Sequence, residues 1–285
     1  MYNTILVGFD GSEFSKSALI ESATRIKKHG GKIILLNAVY FDEEEFGNKP
    51  EQLEKRMKAA KEVCSQAKDM VRDEFGIEIE SYVSEGEPPE VIARTAQEKN
   101  ADLIAMGTHG RRGIKRFIMG SVTSGVIGSS PCDVLVVKRP CTKCTGEYSS
   151  ILLPFDGSEF SRKALSHAYA LSKDDGAEIT ALYVIPRYEE MIGFMKTDSI
   201  RKSLYREAER IIELAKLSVS GNGVTLATAI EEGHAADKIV EAANRMKHDL
   251  IVMGSYGWRG VNKAILGSTT ERVIMNASCP ILVVK

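Results

Sequence analysis

The amino-acid sequence contains the same segments twice, in the same order. The segment ILVGFDGSEFSKSAL begins at Ile5, and ILLPFDGSEFSRKAL begins at Ile151. Near the end of each half, DLIAMGTHGRRG from Asp102 matches DLIVMGSYGWRG from Asp249, and the halves close on VLVVK and ILVVK. Each copy holds about half of the 285 residues, which is enough for a domain to bury its own hydrophobic core. The repeat therefore predicts two tandem domains of one fold.

The limits of the two copies define the predicted domain boundaries. We expect domain 1 over residues 1–138, a linker over 139–148 and domain 2 over 149–285. The linker sequence is polar, contains Pro140 and Gly146, and has neither helical nor strand periodicity.

Each copy alternates segments typical of strands with segments typical of helices. In domain 1 the predicted strands are 5–9, 32–40, 77–83, 102–106 and 134–137. The predicted helices follow the N-cap residue Ser12, span 51–75, follow GEPPE at Gly86 and span 121–129. Domain 2 repeats the strands near Ile151, Ile179, Val224, Leu250 and Ile281. This alternation predicts an α/β fold with a five-stranded parallel sheet in each domain, covered on both faces by right-handed crossovers.

Charge and hydropathy exclude several classes of function. The formal net charge of −1 provides no global positive field, so we expect no nucleic-acid partner. No apolar run reaches membrane-spanning length, and the first residues do not have the pattern of a secretory leader. We therefore expect no membrane partner and a cytoplasmic location.

The five cysteines are too few and too dispersed for a disulfide framework, so we expect reduced thiols. Cys64, Cys132 and Cys279 lie in segments where a cysteine serves as a small buried apolar residue. Cys141 and Cys144 form a single C-x-x-C in the linker, a spacing compatible with a redox pair, with half of a zinc site or with neither. We assign no metal site.

The residues that carry chemistry lie directly after the fourth predicted strand of each copy. Both copies contain G-x-x-G, then nine residues, then G-S. The positions are Gly107, Gly110, Gly120 and Ser121 in domain 1, and Gly254, Gly257, Gly267 and Ser268 in domain 2. Glycines let backbone N–H groups approach a polyphosphate, and a helix that begins at the G-S pair offers its N–H groups and positive dipole end to an anion. The motif therefore predicts a phosphate-binding loop in each domain.

This spacing, the early VGFDGS and the closing VLVVK together resemble the ATP-binding subgroup of the universal stress protein family over nearly the whole chain. The resemblance implies Rossmann-like domains of the adenine-nucleotide alpha-hydrolase type, with strand order 3-2-1-4-5. It also implies ATP with Mg²⁺ as the ligand, bound at the switch between strands one and four. An adenine nucleotide is therefore the expected partner.

The resemblance assigns a role in nucleotide binding to specific residues. Asp10 and Asp156, which end the first strand of each copy, are implied to lie beside the adenosine and its ribose. The backbone of Val39 and Val184 is implied to hold the adenine edge. The remaining binding positions are Met106, Gly107, His109, Gly110, Arg112, Gly120, Ser121, Val122 and Thr123 in domain 1, and Met253, Gly254, Gly257, Arg259, Gly267, Ser268, Thr269 and Thr270 in domain 2.

Alternative interpretations of these residues remain open. An aspartate before Gly-Ser also shapes a turn or caps a helix, and the glycines also suit a tight connection without ligand. His109 is replaced by Tyr256 in the second copy, so a catalytic histidine shared by both halves is not supported. A basic cluster beside the first loop is either a solvated surface or a phosphate clamp, and as a clamp it predicts tighter phosphate binding at the first site. Its members are Arg111, Arg112, Lys115 and Arg116, against Arg259 and Lys263 in the second copy, where bulky Tyr256 and Trp258 stand nearby.

The sequence favours an ATP-binding regulatory protein of the stress response and assigns no catalytic residue. Walker A, dinucleotide-binding and nucleophile-elbow motifs are absent from the sequence. Two alternatives stay open, a slow ATPase or autophosphorylating enzyme and a nucleotide-free interaction scaffold. In the family that the chain resembles, the last strand pairs two domains. We therefore expect VLVVK and ILVVK to pair within one chain, and a homodimer also remains open.

Overall fold

The computed structural model describes residues 2–40, 50–108, 119–138, 146–186, 198–219, 224–255 and 267–285. These residues divide into two compact units, Tyr2–Glu147 and Tyr148–Lys285. Within the described ranges, each unit contains five strands and four helices that alternate along the chain. The α/β class and the two tandem domains predicted from the repeat are confirmed.

The first unit is a parallel sheet with its helices in the crossovers. Its elements are β1 (Thr4–Gly8), α1 (Glu13–His29), β2 (Lys32–Val39), α2 (Pro50–Phe75), β3 (Glu80–Glu85), α3 (Pro88–Glu98), β4 (Leu103–Gly107), α4 (Ser121–Ser129) and β5 (Asp133–Val137). The strands lie in the order β3-β2-β1-β4-β5, and every pair of neighbours is parallel. The predicted order 3-2-1-4-5 is confirmed for this domain.

The second unit has the same plan. Its elements are β6 (Ser150–Pro154), α5 (Glu159–Asp175), β7 (Glu178–Ile185), α6 (Asp198–Val219), β8 (Leu226–Glu232), α7 (Ala235–Arg245), β9 (Leu250–Gly254), α8 (Ser268–Asn276) and β10 (Ile281–Val284). Its strands follow the order β8-β7-β6-β9-β10, again with parallel neighbours. The first strand of each unit is therefore central and adjoins the fourth.

Burial of the central strands explains their continuous apolar sequences. Ile5, Leu6 and Val7 of β1 are fully buried, because helices cover both faces of a parallel sheet. Helix α1 begins where the Ser12 hydroxyl accepts a hydrogen bond from the Ser15 amide, as the N-cap prediction requires. No helix in the described part of the chain is both long enough and apolar enough to cross a membrane.

The third strand differs from its predicted bounds. Alternating isoleucines and glutamates predicted a strand over residues 77–83, whereas β3 spans Glu80–Glu85. Pairing with β2 starts only where Glu80 lies opposite Ile34, and the preceding residues form the connection after Gly76, whose φ is +72°. Ile79 is nevertheless buried, so alternation identified a buried side chain but not the start of backbone pairing.

The end of the predicted linker packs against the first unit. Gly146 adopts φ +58°, and a Cβ atom there would lie 2.5 Å from the Arg25 amide nitrogen. The buried Arg25 guanidinium donates to the Gly146 carbonyl over 3.3 Å, and the Lys28 ammonium lies 2.8 Å from the Glu147 carboxylate. Residues 146 and 147 are therefore fastened to α1. Residues 139–145, including Cys141 and Cys144, lie outside the described residues.

A buried histidine lies at the amino edge of the second sheet. His248 is 7% exposed, and its Nδ1 lies 2.7 Å from the Ser150 hydroxyl. Its Nε2 is buried and finds no hydrogen-bond partner among the described residues. Desolvation lowers the pKa of His248, although the Ser150 backbone and the Asp249 charge act in the opposite direction. The folded protein therefore favours the neutral imidazole.

We predict that His248 makes the protein less stable in acid. Because its pKa is lower in the folded than in the unfolded chain, the unfolded chain binds the extra proton as pH falls below about 6.5, and stability is lost there. The melting temperature of the wild-type protein should fall more between pH 7.5 and 5.5 than that of His248→Ala. The exposed His234→Ala variant is the matched control. Equal pH dependence of the wild type and His248→Ala would contradict the prediction.

Candidate functional site

The candidate site of each unit lies at the carboxyl ends of its two central strands. The connection after β1 leads to β2, whereas the connection after β4 leads to β5 on the other side. Because the two connections run away from each other, a crevice forms between the ends of β1 and β4, and open α/β sheets bind ligands in such a crevice. The chain after β1 leads into Asp10, and the chain after β4 leads from Gly107 into the glycine-rich segment. In the second unit, β6 and β9 lead to Asp156 and Gly254 in the same way.

Both aspartates shape the turn that joins the first strand to its helix. The Ser12 amide donates to Asp10 Oδ1 over 3.0 Å, and the Asp10 amide donates to the Ser15 hydroxyl over 3.4 Å. In the second unit the Ser158 amide donates to Asp156 Oδ1, also over 3.0 Å. Both aspartates are half-buried. Each aspartate therefore shapes a turn, which was one of the alternatives left open by the sequence. The turn holds the carboxylate at the head of the crevice.

The first glycine of each motif is required by helix packing. A Cβ atom at Gly107 would lie 2.5 Å from Phe14 Cβ and 2.8 Å from the Phe14 carbonyl carbon. At Gly254 the corresponding distances to Phe160 are 2.6 and 2.9 Å. The start of the first helix therefore occupies the space that a side chain would need. We expected phosphate to approach the backbone at these two glycines. In the structure, it is α1 and α5 that approach Gly107 and Gly254 closely.

Hydrogen bonds attach the fourth helix of each unit to the strand before it. The Gly120 amide donates to the Thr108 carbonyl over 3.2 Å, and the Thr123 hydroxyl donates to the Gly107 carbonyl over 3.0 Å. In the second unit the Gly267 amide donates to Ser255 over 3.2 Å, and the Thr270 hydroxyl donates to Gly254 over 3.1 Å. The threonine hydroxyls predicted to contact a nucleotide thus also position the helix.

The amino ends of α4 and α8 lack the side-chain cap that α1 and α5 have. Ser12 and Ser158 cap the first helix of each unit through their side chains. Gly120 and Gly267 stand at the N-cap of α4 and α8, and no side-chain cap bond forms at either position. The following Ser121 and Ser268 are exposed. The first N–H groups of these helices and their positive dipole ends are therefore suited to an anion.

The structure brings most of the described candidates together in each unit. In the first, Asp10 contacts Ser15, Ser15 lies against Gly107, and Gly107 is bonded to Thr123 at the start of α4. Met106 and Met253 are buried at the strand ends, whereas Val122 and Thr269 are half-buried on the fourth helices.

The two valines assigned to the adenine edge do not occupy equivalent places. The Val39 carbonyl accepts from the Gly86 amide over 3.1 Å, but in the second unit the corresponding bond runs from Gly233 to Ile185 over 3.0 Å. Val184 therefore lies one residue before the true counterpart of Val39. Because successive residues of a strand point to opposite faces and bond to opposite neighbours, the equivalent of Val39 is Ile185.

Several sequence-based candidates lie outside the described residues. They are His109, Gly110, Arg111, Arg112, Lys115, Arg116, Tyr256, Gly257, Trp258, Arg259 and Lys263. The expectation that their charges favour phosphate at the first site remains a prediction.

Sequence reasoning missed three kinds of residue at the site. Phe14 and Phe160 set the approach of the first helix, and Ser15 closes the aspartate turn. These residues belong to FDGSEFS, which is identical in both copies, so the signal was available. The third is Ser255, whose hydroxyl is buried and has no hydrogen-bond partner within the described ranges. Its sequence context gives no such signal.

The described cysteines are not among the candidate residues of the crevice. Cys64 and Cys279 are buried, and Cys132 is partly buried. Burial raises the pKa of Cys64 and of Cys132 to about 11, so both thiols are neutral at physiological pH. Within the described ranges, no group of three or more His, Cys, Asp or Glu side chains is arranged to hold a metal ion.

Comparison with known proteins settles the family. The model of the universal stress protein family matches residues 1–138 and again 147–285. The chain belongs to the universal stress protein family. It is 40% identical over 141 residues to a universal stress protein of Methanocaldococcus jannaschii, which covers 48% of this chain and 82% of that protein.

Two full-length comparisons extend the match to both domains of this universal stress protein. A universal stress protein of Mycolicibacterium smegmatis is 27% identical over 288 residues and covers 99% of this chain and 96% of its own. The crystal structure of a universal stress protein from Archaeoglobus fulgidus has a TM-score of 0.74 at 26% identity, and covers 99% of this chain and 98% of that one.

We predict that Gly107→Ala destabilises the protein by about 1–3 kcal/mol, because the new Cβ would overlap Phe14 and force α1 away from β4. Gly8→Ala on the neighbouring strand is the matched control, since the nearest atoms to its Cβ would be Ile92 Cδ1 at 3.5 Å, Met106 Cβ at 3.7 Å and the Ala105 carbonyl oxygen at 4.0 Å, all ordinary contacts. Urea denaturation of both variants measures the difference. A Gly107→Ala protein as stable as Gly8→Ala would refute the packing explanation.

Proposed function

We propose that each domain of this universal stress protein binds an adenine nucleotide, ATP with Mg²⁺, and that occupancy regulates the protein. The observation that supports the proposal is the same in both copies. Three features meet at the carboxyl ends of the central strands. They are a half-buried aspartate, a strand that ends on a glycine packed against the first helix, and a helix that begins without a side-chain cap. This is the edge of an open α/β sheet at which nucleotides bind.

The phosphates are proposed to bind at the starts of α4 and α8. Backbone N–H groups there have no partner within the helix, and the dipole favours negative charge. Ser121 and Ser268 are exposed at the first helical position and add a hydroxyl donor. On the basis of the family resemblance, the loops that carry Gly110 and Gly257 are proposed to contact the phosphates as well.

The adenosine is proposed to lie toward the first strand and the second strand beside it. Hydrogen bonds within their own turns hold Asp10 and Asp156 at the head of the crevice. The position of each carboxylate therefore does not depend on a bound ligand. An ionised carboxylate can accept hydrogen bonds from ribose hydroxyls. The adenine edge is proposed to lie over the ends of β2 and β7, at Val39 and at Ile185 rather than Val184. Mg²⁺ bound with the nucleotide would supply positive charge that offsets the charge of the phosphates.

We predict that Ser121→Glu and Ser268→Glu each remove one of two ATP sites. A carboxylate at the first helical position favours the helix dipole but repels phosphate, so the fold should be retained while affinity falls at least about tenfold. Isothermal titration with Mg·ATP measures stoichiometry and affinity. Ser121→Gln and Ser268→Gln are the isosteric controls for the added charge; they lose the same hydroxyl without adding a carboxylate, so they should bind ATP more tightly than the Glu variants.

A double Ser121→Glu, Ser268→Glu protein that binds ATP as tightly as the wild type would refute the phosphate placement. The glycine spacing independently predicts that Gly110→Val combined with Gly257→Val abolishes binding. Both doubles use the full chain, and circular dichroism verifies that each is folded.

We also propose that β5 and β10 pair with each other within one chain. Within its own unit, β5 adjoins only β4 and β10 adjoins only β9, and both strands consist of apolar residues after Asp133. An unpaired apolar edge is an aggregation hazard that a partner strand removes.

Hydrogen exchange of the full chain tests this pairing. The amides of β5 that point away from β4 should exchange as slowly as those of β4 itself, because they would be bonded to β10. The outer amides of the edge strand β3 provide the unpaired reference. Exchange of the outer β5 amides at the β3 rate would rule the pairing out.

A further inference from the structure

The fourth helix of the second unit carries a cation that its counterpart in the first unit lacks. Helices α4 and α8 have the same length and begin at Ser121 and Ser268. The fifth residue is Gly125 in α4 and Arg272 in α8, and no other residue of either helix is basic. The Arg272 side chain is 53% exposed, so a ligand in solution can reach its guanidinium.

Close packing of two helices keeps a side chain out of this position in the first unit. A Cβ atom at Gly125 would lie 2.8 Å from both Cβ and Cγ of Pro89, the second residue of α3. Atoms do not pack so closely without displacing one of the helices, so the contact requires glycine. In the second unit Ala236 is the counterpart of Pro89, and α7 and α8 leave room for the Arg272 side chain. The cation therefore belongs to one domain and is sterically excluded from the other.

Arg272 lies on the side of α8 that faces the central strands. Its Nη2 lies 3.6 Å from Oδ1 of Asp237, which is in the first turn of α7. Because the strand order is β8-β7-β6-β9-β10, α7 crosses over the central strands on its way from β8 to β9, and it packs on β7. The crevice lies on this side of α8. The neighbouring Glu271 is turned away from Arg272 by about 100° around the helix, so its carboxylate does not share this side.

The Arg272 side chain belongs to the turn in which α8 begins. The Cα–Cβ bonds of a helix tilt toward its amino end, so a long side chain covers the turn before its own Cα. Arg272 follows Ser268 by four residues, which places it over the turn whose first N–H groups have no side-chain cap. A guanidinium has five N–H donors and binds phosphate through paired hydrogen bonds. Backbone donors and a side-chain cation therefore converge at one end of α8.

We propose that Arg272 binds the phosphates of the nucleotide at the second site, so that this site depends on a cation of its fourth helix and the first site does not. The inference rests on the proposed nucleotide function, which places the phosphates at the start of α8. In the empty site, Asp237 is the anion beside Arg272. Such an exposed ion pair contributes little stability, so the guanidinium exchanges Asp237 for phosphate oxygens when the nucleotide binds.

The test measures nucleotide binding at the second site alone, in the full chain. Ser121→Glu serves as the parent protein, in which only the second site is left to be titrated. The parent and its Arg272→Gln variant are each titrated with Mg·ATP and with adenosine, which has no phosphate. Arg272→Gln should weaken ATP binding about tenfold, the effect of losing charge-assisted hydrogen bonds, and should leave adenosine binding unchanged. In a Ser268→Glu parent, where only the first site is left, Arg272→Gln should have no effect.

A second variant distinguishes phosphate binding from a structural role of the ion pair. Asp237→Asn removes the carboxylate that competes for Arg272, so it should strengthen ATP binding at the second site several-fold. If the pair served only to hold α7 against α8, Asp237→Asn and Arg272→Gln would change ATP binding in the same direction. Arg210→Gln is the control for net charge, because it removes a cation of α6 that is paired with Glu207 outside the candidate site. It should leave ATP binding unchanged.

Three results would overturn the inference. One is equal ATP affinity of the Arg272→Gln variant and its parent, which leaves the nucleotide function intact. Another is an equal loss of ATP and adenosine affinity in a folded Arg272→Gln protein, which would mean that Arg272 shapes the site without contacting phosphate. The last is an absence of ATP binding at both sites of the wild type, which would remove the proposed function together with the role of Arg272.

Discussion

The site in each domain depends on how closely the first helix approaches the fourth strand. Phe14 and Phe160 lie where a side chain at Gly107 or Gly254 would stand, so the helix and the strand meet backbone to backbone. This contact places the aspartate turn beside the segment that leaves the fourth strand. The threonine hydroxyls of α4 and α8 then bond to the same two glycine carbonyls. One steric constraint thus determines where three separate parts of the chain meet.

Some differences between the domains lie at the margins of this shared framework. Pro154 stands at the end of β6, where the first domain has a glycine. The buried His248 precedes the aspartate that binds the amides of β6, at a place where the first domain has Ala101. Gly146 and Glu147 are bonded to α1 through Arg25 and Lys28. Each change is local because the parallel core tolerates variation mainly at its two edges.

Much of the fold could be predicted from the sequence because the signal was duplicated. The repeat identified two domains, and apolar runs at strand spacing identified the central strands. The order of the strands came from the family resemblance, since periodicity contains no information about which strands are neighbours. The predicted start of β3 was wrong because alternation of apolar and polar residues indicates burial rather than backbone pairing. Burial begins at Ile79, whereas pairing with β2 begins at Glu80.

The local geometry around the candidate site was only partly predictable from the sequence. The glycine spacing predicts a phosphate site at the carboxyl ends of the central strands, but it could not reveal that Gly107 is required by the approach of a helix. Val184 was assigned one residue too early, because matching valine to valine ignored the register that the bonds of Gly86 and Gly233 reveal. Such errors arise wherever a role depends on backbone direction rather than on residue type.

The segment FDGSEFS shows what duplication makes available to this protein. Its residues are identical in both copies, and the turn, the helix cap and the close approach of the first helix all depend on them. The residue just before the segment is released from that requirement, and the copies have diverged there to glycine and proline. Duplication thus lets one polypeptide carry the same architecture twice while the residue beside it differs between the copies.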